Sequence, residues 1–230
     1  MTKGKEMKIL IIPDIHERYG DLLRLADKID KADEIVCLGD YFDTFSTTQV
    51  HEMCAWLVDR MTDPKFTFLL GNHDCHYLFS SPRFVCSGFE AWKRPIVQVA
   101  LLKWVDAGSF KLSIERQGFT LSHAGWHLDT VKWNTPEQLE AAIEEASGGG
   151  CPRVMGCGYA RGGDQPTGGV TWLDFNVEFE DIPGMPQIVG HTQGGKPKGM
   201  VKVCGASTCL DTGGGHVGWL KDGKLKVEAL

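Results

Sequence analysis

An α/β fold is the class that this sequence predicts, and two observations support the prediction. Short apolar runs rich in β-branched residues alternate with longer amphipathic stretches through the first half of the chain, as strands alternate with helices in α/β proteins. The chain has 230 residues, of which 42% are hydrophobic. This length and composition, with no internal repeat, predict one globular domain spanning residues 1–230.

The part of the chain before residue 147 supplies three predicted strands and four predicted helices. Each strand is an apolar run followed at once by polar residues, and the three strands are 9–12, 35–38 and 66–70. The helices show apolar residues at helical spacing and are placed over 22–29, over 53–61, within 89–104 and within 136–146. The pair Thr135-Pro136 provides a typical start for the last of these helices.

A glycine-rich loop is predicted at about residues 147–169. Its glycines, prolines and arginines show no hydrophobic periodicity, and so long a loop within a domain is usually functional or disordered. Short strand-like runs follow the loop, and they are 170–175, 187–189, 200–203 and 217–220. A turn at Asp222 and Gly223 then predicts a hairpin with residues 224–227.

The charge and cysteine content narrow the class of protein. The formal net charge of -6 comes without a single-sign block, and because nucleic-acid binders usually carry a basic patch, nucleic acid is not the favoured partner. Eight cysteines without a CxxC pair favour reduced thiols. The apolar run at 9–12 is too short for a signal-peptide core or a membrane span. We therefore expect a cytoplasmic protein without a membrane partner.

Five polar clusters contain oxygen and imidazole donors, and four of them directly follow an apolar strand. They are Asp14-Ile15-His16, Gly39-Asp40-Tyr41-Phe42-Asp43, Gly71-Asn72-His73-Asp74, Ser122-His123-Ala124-Gly125 and Gly190-His191-Thr192. Because the carboxyl ends of neighbouring strands meet at one crevice of an open α/β sheet, the clusters are expected to form one site. The glycines of these clusters would serve tight turns that let ligand side chains approach.

The ordered set DxH, GDxxD, GNHD, a single histidine after a strand, and GHT resembles the calcineurin-like metallophosphoesterase superfamily. Within it the chain is most similar to the bacterial and phage branch of phosphoprotein-phosphatase-like enzymes, which includes serine/threonine phosphatases and diadenosine tetraphosphatase-like members. The segment Leu210-Asp211-Thr212-Gly213-Gly214 resembles the DTG segment of that branch, so the motifs cover residues 14–214. The resemblance implies a four-layer αββα sandwich, in which two mixed sheets are flanked by helices.

The resemblance also implies two divalent metal ions. The first ion would be held by Asp14, His16 and Asp40. The second ion would share Asp40 and take Asn72, His123 and His191 as its other ligands. Manganese is the expected metal, with iron, zinc, magnesium, nickel or cobalt as alternatives for a mixed nitrogen and oxygen site. A metal-bound hydroxide would be the nucleophile, because metal binding lowers the pKa of water.

In this comparison two further residues complete the catalytic set. His73 would donate a proton to the leaving alkoxide as the general acid, and Asp43 would orient its imidazole. Asn72 would contact the substrate as well as a metal ion. Asp74, Thr192 and Asp211 are interpreted as supporting or turn residues rather than ligands.

Three more residues lie near the motifs. Trp126 is expected to form a wall of the pocket beside His123. His76 and His216 lie near motifs, so either could contact substrate.

The sequence departs from the family pattern at three positions. Thr44 and Phe45 follow Asp43, where the phosphatases usually have an arginine that grips the phosphate. Glu17 replaces the glycine that usually follows the first motif. Gln193 replaces the second histidine of the GHxH pair found in many other superfamily members, which favours the phosphatase-like branch.

A substitute for the missing arginine is expected in the glycine-rich loop. We expect Arg161 to contact the substrate phosphate, since a guanidinium suits bidentate binding of phosphate. The alternative is a solvated loop arginine.

The expected function is metal-dependent hydrolysis of phosphomonoesters, with a phosphoprotein, a nucleotide or a small phosphoester as the partner. A phosphodiesterase or dinucleoside polyphosphate hydrolase is the alternative, because the same motifs serve either kind of ester. A catalytically silent scaffold of the same fold is disfavoured, since every expected ligand is present.

Overall fold

The computed structural model describes residues 7–44, 46–193 and 199–230. Phe45, one of the two residues that stand where the family has an arginine, lies outside the described residues. The strands are β1 (Lys8–Ile12), β2 (Glu34–Cys37), β3 (Phe66–Leu69), β4 (Phe110–Lys111), β5 (Ser113–Arg116), β6 (Phe119–Ser122), β7 (Gln187–Val189), β8 (Lys202–Cys204), β9 (Ser207–Cys209), β10 (His216–Lys221) and β11 (Lys224–Ala229). The helices are α1 (Tyr19–Arg24), α2 (Ala26–Lys31), α3 (Val50–Arg60), α4 (Asn72–Leu78), α5 (Lys93–Asp106) and α6 (Pro136–Ser147).

Two mixed sheets form the frame of the molecule. The first sheet has the order β11-β10-β1-β2-β3-β4, with β1 to β4 parallel and β10 antiparallel to both of its neighbours. The second sheet has the order β5-β6-β7-β9-β8, with three parallel strands at its centre and an antiparallel strand at each edge. The predicted class, α/β with two mixed sheets and flanking helices, is confirmed.

Alternating side chains of the strands build the core on both faces of the first sheet. Ile9 and Ile11 of β1 pack with Leu121 and Ile188 of the second sheet, in a core between the two sheets. Leu10 faces the other way, into a larger core that the helices cover. This alternation follows from the two-residue period of a strand, so an unbroken apolar strand is buried on both faces.

The outer face of the second sheet is covered in a different way. Val189 of β7 and Cys209 of β9 pack there against Leu173, Phe175 and Phe179. These three apolar residues belong to an irregular segment rather than to a helix.

The elements predicted before residue 147 are confirmed with one change. The helix that was expected to be continuous over 22–29 is two short helices, α1 and α2, which meet at Leu25. The Leu25 N–H donates to both Asp21 O and Leu22 O at 3.1 Å, which tightens this turn. Helix α6 begins as predicted, because Thr135 accepts a hydrogen bond from the Gln138 N–H and Pro136 opens the helix.

The strand predicted over 170–175 is wrong. The Trp172 and Leu173 N–H groups both donate to Gly169 O, at 2.8 and 2.9 Å, so this segment folds into tight turns. Its apolar residues are nevertheless buried, because they pack under the second sheet. The apolar run therefore marked burial correctly but could not distinguish a strand from a buried turn.

Two other predictions need smaller adjustments. The run at 200–203 forms only the short strand β8, from Lys202 to Cys204. In the segment predicted as a glycine-rich loop at about 147–169, Ser147 is the last residue of α6, and the rest is irregular with one 3₁₀ turn at Arg153–Met155 and another at Tyr159–Arg161. Within residues 7–44, 46–193 and 199–230, none of the helices combines the length and apolar character that a membrane crossing requires.

Candidate metal centre

The five polar clusters converge at the carboxyl ends of β1, β2, β3, β6 and β7. Two groups of possible ligand atoms that share a residue form there, next to a third group made of Asp43, His73 and His76, and within each group the atoms lie within 4.8 Å of one another. The first group is Asp14, His16 and Asp40, and the second is Asp40, His123 and His191. The two groups therefore share one carboxylate, that of Asp40.

The backbone at these clusters adopts an unusual conformation. The non-glycine residues with left-handed φ include His16 (49°), Glu17 (55°), Asp40 (51°), Asp43 (63°) and His191 (66°). Such values are disfavoured for residues with a Cβ and tend to concentrate at functional sites, where surrounding contacts impose them. One of those contacts is the hydrogen bond from the His16 N–H to Asp40 O at 2.8 Å.

Two glycines allow the carboxylates to approach the backbone closely. A Cβ placed on Gly190 would collide with Asp14 Oδ1, and one placed on Gly71 would collide with Asp40 Oδ1. Both glycines therefore allow the close approach that the sequence predicted for them, here by the carboxylates of Asp14 and Asp40.

The first group is deeply buried. Asp14, His16 and Asp40 are 2%, 8% and 2% exposed. His16 Nε2 lies 3.7 Å from Asp40 Oδ2, and both oxygens of Asp14 accept a hydrogen bond from the His191 N–H at 3.0 Å. The Asp14 carboxylate is thereby tied to the backbone of the second group.

The second group is organised around one ring nitrogen. His123 Nε2 lies 3.1 Å from Asn72 Oδ1, 3.2 Å from His191 Nδ1 and 3.4 Å from Asp40 Oδ1. A single N–H can donate well to only one of these three atoms. Several donor atoms that face one point form the arrangement that a cation needs, and this mixture of imidazole and oxygen suits first-row divalent metals.

Backbone carbonyls fix which nitrogen of two imidazoles faces the centre. His16 Nδ1 lies 3.1 Å from Phe42 O and 3.0 Å from Asp43 O, and His123 Nδ1 lies 3.0 Å from Leu38 O. Because a carbonyl oxygen only accepts hydrogen bonds, Nδ1 carries the proton in each neutral ring. The lone pair of Nε2 is then free to bind a cation. Burial also lowers the pKa of His16, which keeps that ring neutral.

The buried negative charge of the centre favours a positive partner. Burial raises the pKa of Asp14 to about 6, with a contribution from the charge of Asp40. Burial and the charge of Asp14 raise the pKa of Asp211 to about 7. For His123, burial would lower the pKa, but Asp40 and Asp14 raise it to about 9. The negative charge of these carboxylates favours the binding of protons, and a divalent cation would neutralise the same charge.

Asp43 connects His73 to a second histidine. Asp43 Oδ2 lies 2.7 Å from His73 Nδ1 and 2.9 Å from His76 Nε2, and the Tyr77 hydroxyl donates to Asp43 Oδ1. Burial would raise the pKa of Asp43, but its contacts with His73 and His76 lower it. For His73, burial would lower the pKa, but Asp40 and Asp43 raise it. His73 is therefore an imidazole that holds its proton more tightly than usual.

Arg161 lies beside the second group, as part of the 3₁₀ turn Tyr159–Arg161. Its Nε lies 2.6 Å from Asp174 Oδ2, and its Nη2 donates to Thr192 Oγ1 at 3.1 Å. Thr192 directly follows His191, so the loop brings this guanidinium to the edge of the centre. Its ion pair with Asp174 means that Arg161 is not a freely solvated loop residue.

The chain matches the family model of the calcineurin-like phosphoesterases over residues 7–192. It belongs to this family. Family membership makes the chain a metal-dependent hydrolase of phosphoric esters, acting on phosphorylated substrates. No curated protein sequence matches the chain closely enough to be counted as a relative.

Solved structures of other phosphoesterases share the fold. The chain is similar to a cold-active protein-tyrosine phosphatase of a psychrophilic Shewanella species, with a TM-score of 0.58 and 17% identity over 96% of this chain and 80% of that chain. A protein serine/threonine phosphatase from Saccharomyces cerevisiae gives a TM-score of 0.58 and 14% identity over 100% of this chain and 81% of that one. A candidate diadenosine tetraphosphatase gives a TM-score of 0.52 and 16% identity over 97% of this chain and 93% of that one. At these identities the likeness is one of fold.

Asp74 is a buried residue of this phosphoesterase site, and the sequence did not predict which groups it contacts. Its Oδ2 accepts hydrogen bonds from the Asp40 N–H at 2.9 Å and the Gly71 N–H at 2.8 Å, and its Oδ1 accepts one from the Tyr41 N–H at 2.8 Å. Asp74 thus fastens the second cluster to the third. The sequence interpretation of Asp74 as a supporting residue agrees with these contacts.

His76 is completely buried, so its side chain is not exposed for the contact with substrate that its position near the third cluster suggested. It lies on the same face of α4 as His73, three residues later, and both rings reach the same oxygen of Asp43. Its other nitrogen lies 3.2 Å from Cys86 Sγ. The spacing of three residues on a helix is the sequence signal that could have paired the two histidines.

The pocket wall predicted at Trp126 is also wrong. Trp126 is fully buried in the core, and its indole N–H donates to Ser113 Oγ at 3.1 Å. The aromatic residue beside the phosphoesterase site is instead Trp172, whose ring lies 5.7 Å from that of His191 in an edge-on arrangement. Trp172 belongs to the buried turns that replace the predicted strand.

A groove of about 960 Å³ lies away from the phosphoesterase centre. Its lining comes from the end of α5, strands β4 and β5, and α6, and it includes Phe110, Ile114, Leu139 and Ile143. None of the clustered aspartates and histidines line it. The candidate metal centre in this protein is therefore identified by its converging ligand atoms and not by the size of a cavity.

Proposed function

We propose that this phosphoesterase hydrolyses phosphomonoesters with two divalent cations held side by side. The observation that carries the proposal is the position of Asp40, which belongs to both groups of donor atoms. Two cations close together need an anionic ligand between them, and a shared carboxylate supplies it.

The described residues fit two cations in their chemistry. Asp14, His16 and Asp40 would hold the first, and Asp40, Asn72, His123 and His191 would hold the second. The oriented Nε2 atoms of His16 and His123 and the buried carboxylates support this assignment. When bound, the cations would supply Lewis-acid activation of the phosphate and of a water molecule. Manganese is the proposed ion, as one of the first-row divalent metals that a mixed site of imidazole and oxygen ligands accepts.

His73 is the proposed general acid for the leaving group. Its Nδ1 is occupied by Asp43, so the proton to be donated would sit on Nε2. The raised pKa of His73 supports this role, because the ring then carries its proton near neutral pH. Asp43 fixes the direction of the ring through the 2.7 Å contact.

Arg161 is the proposed phosphate contact in place of the missing family arginine. The guanidinium has five N–H donors, of which the contacts to Asp174 and Thr192 use two. The remaining donors are available to a phosphate at the edge of the second group. Asn72 is the proposed second contact, since among the described residues its Nδ2 donates only to Cys86 Sγ, at a long distance of 3.6 Å.

We also propose that the chain forms one domain and is cytoplasmic. The core between the two sheets, which joins residues from Ile9 to Leu220, supports a single domain. All eight cysteines are free, which supports a reducing compartment.

The test is hydrolysis of an aryl phosphomonoester, the matching aryl diester and a dinucleoside polyphosphate by metal-stripped protein given back Mn²⁺. We expect activity to depend on the added metal and to favour the monoester. His73→Ala is the control that keeps the proposed metal ligands. A preference for either other substrate would contradict the monoester proposal, and failure to bind two Mn²⁺ per chain would contradict the shared role of Asp40.

A further inference from the structure

Glu17 stands where the family usually has a glycine, and its carboxylate is completely enclosed. Its Oε1 accepts a hydrogen bond from the Asp43 N–H at 3.1 Å and lies 2.8 Å from Lys93 Nζ. Its Oε2 accepts from the Thr48 hydroxyl at 2.5 Å and from the Gln49 N–H at 2.9 Å. Four donors thus saturate the carboxylate, which leaves it no lone pair to offer as a metal ligand.

Lys93 is the buried counter-ion of this carboxylate. The Lys93 side chain is 1% exposed and the Glu17 side chain 0%, although the two residues are 76 positions apart in the sequence. A second carboxylate, that of Glu90, lies 2.8 Å from the same ammonium group at the rim of the structure. A buried charge is tolerated only when it is paired and hydrogen-bonded, and each member of this pair satisfies that requirement for the other.

The contacts of the pair join three parts of the chain. Lys93 opens α5, Gln49 precedes α3, and Asp43 ends the second polar cluster. The hydrogen bond that the Asp43 N–H donates to Glu17 Oε1 holds the Asp43 backbone, whose φ is 63°. That backbone conformation aims the Asp43 carboxylate at His73 Nδ1.

We propose that Glu17, with Lys93 as its counter-ion, is a positioning residue that aims Asp43 and thereby orients His73 for proton donation. This inference rests on the proposed function, in which His73 is the general acid. Among the described residues, the polar contacts of the Glu17 and Lys93 side chains are with Asp43, Thr48, Gln49, Glu90 and each other, and none is with a proposed metal ligand. Loss of the pair should therefore impair proton donation before it impairs metal binding.

The test compares two monoesters whose leaving groups differ strongly in how much they need protonation by an acid. An alkyl phosphate has a poor leaving group and requires protonation, whereas a dinitrophenyl phosphate leaves readily without it. The kcat for each substrate is measured for the wild type, Glu17→Gln and Lys93→Met, in Mn²⁺-loaded protein. Glu34→Gln is the matched control, because it breaks the ion pair with Arg116 at 2.8 Å, which does not reach Asp43.

We expect Glu17→Gln and Lys93→Met to lower the alkyl-to-aryl ratio of kcat by about tenfold or more, a part of the usual contribution of a general acid. Glu34→Gln should leave the ratio at its wild-type value. The Mn²⁺ content, measured by elemental analysis, should remain that of the wild type in all three variants. A purely structural role would lower both rates together and leave the ratio unchanged, and that outcome would overturn the inference.

Two further variants keep the test decisive. If a single variant fails to fold, Glu17→Gln combined with Lys93→Met removes both buried charges, and its ratio decides. His73→Ala separates the inference from the proposed function. If His73→Ala lowers the ratio while the Glu17 and Lys93 variants keep it, the inference alone fails. If His73→Ala keeps the wild-type ratio, the general-acid role and the inference fail together.

Discussion

The Asp74 carboxylate accepts the backbone N–H of Asp40 at 2.9 Å, directly beneath the carboxylate that both groups of donor atoms share. The same oxygen of Asp74 also accepts from Gly71, and the other oxygen accepts from Tyr41. The position of the shared ligand therefore depends on a buried residue that is not itself a proposed ligand. Such outer contacts commonly govern how well a metal site binds.

Asp74→Asn should weaken both the fold and the metal site. The amide group must turn its NH₂ toward at least one of the three N–H donors, because both oxygens of Asp74 accept. We expect the free energy of unfolding of the metal-free protein to fall by about 1–3 kcal/mol, the cost of leaving a buried donor unsatisfied. Mn²⁺ affinity should fall by about 10–100-fold, as for other outer contacts of metal ligands. Chemical denaturation and calorimetric titration measure the two effects.

Asp181→Asn is the matched control for this change. Asp181 accepts from the Ala206 N–H at 3.2 Å and from the Ser207 hydroxyl at 3.0 Å, in contacts that do not reach the centre. It should lower stability without a change in Mn²⁺ affinity. Equal effects of the two variants on Mn²⁺ affinity would contradict a specific role for Asp74.

Metal binding should release protons and strengthen as the pH rises. The pKa of His123 is raised to about 9, so without metal this imidazole is protonated at neutral pH. The Asp14 carboxyl, with a pKa of about 6, also gains a proton as the pH falls toward 6. A ligand must lose its proton to bind, so we expect Mn²⁺ affinity to increase by about tenfold per pH unit between pH 6 and 8. Calorimetry in buffers of different ionisation enthalpy counts the protons released, and a pH-independent affinity would contradict the assignment of His123.

Arg161→Ala should reduce kcat/KM for a phosphomonoester by about tenfold to a hundredfold, the value of one or two hydrogen bonds to a charged group. The reason is the loss of the phosphate contact proposed at the edge of the second group. Arg153→Ala is the control from the same loop, because Arg153 stacks on Trp133 at 5.5 Å instead. Steady-state kinetics gives kcat/KM for both variants. An equal kcat/KM for Arg161→Ala and the wild type would contradict the proposed contact between Arg161 and the phosphate.

The positions of the clusters could be predicted because each depends on local sequence. Asp14, Asp40 and His123 each follow an apolar strand, so each side chain lies at the carboxyl end of a parallel strand. Glycines within the clusters, such as Gly71 and Gly190, likewise indicate where a carboxylate comes close to the backbone. These features need no knowledge of distant contacts.

The supporting contacts could not be predicted, because they join distant parts of the chain. The Glu17–Lys93 pair spans 76 residues, and nothing near either residue indicates the other. The buried turn around Trp172 has the apolar character of a strand but lies under the second sheet instead of pairing within it. Tertiary packing overrides local preference at such positions.

Gly190→Ala should impair the metal centre while leaving most of the fold intact. A Cβ at this position would collide with Asp14 Oδ1, and Asp14 accepts from the His191 N–H at 3.0 Å, so relief of the collision must move one proposed ligand of each cation. Overpacking of this kind costs about 1–3 kcal/mol. We expect Mn²⁺ affinity and kcat to fall together, the affinity by at least about tenfold.

Gly20→Ala is the control for the added methyl group, because nothing lies within 4 Å of a Cβ there. Gly20 sits in α1, where alanine is the better helix former, so this variant should be as stable as the wild type or more so. Calorimetric Mn²⁺ titration and thermal unfolding of both variants separate the two effects. Unchanged Mn²⁺ affinity in Gly190→Ala would mean that Asp14 can leave its present position without cost, and Asp14 would then not be a ligand of the first cation.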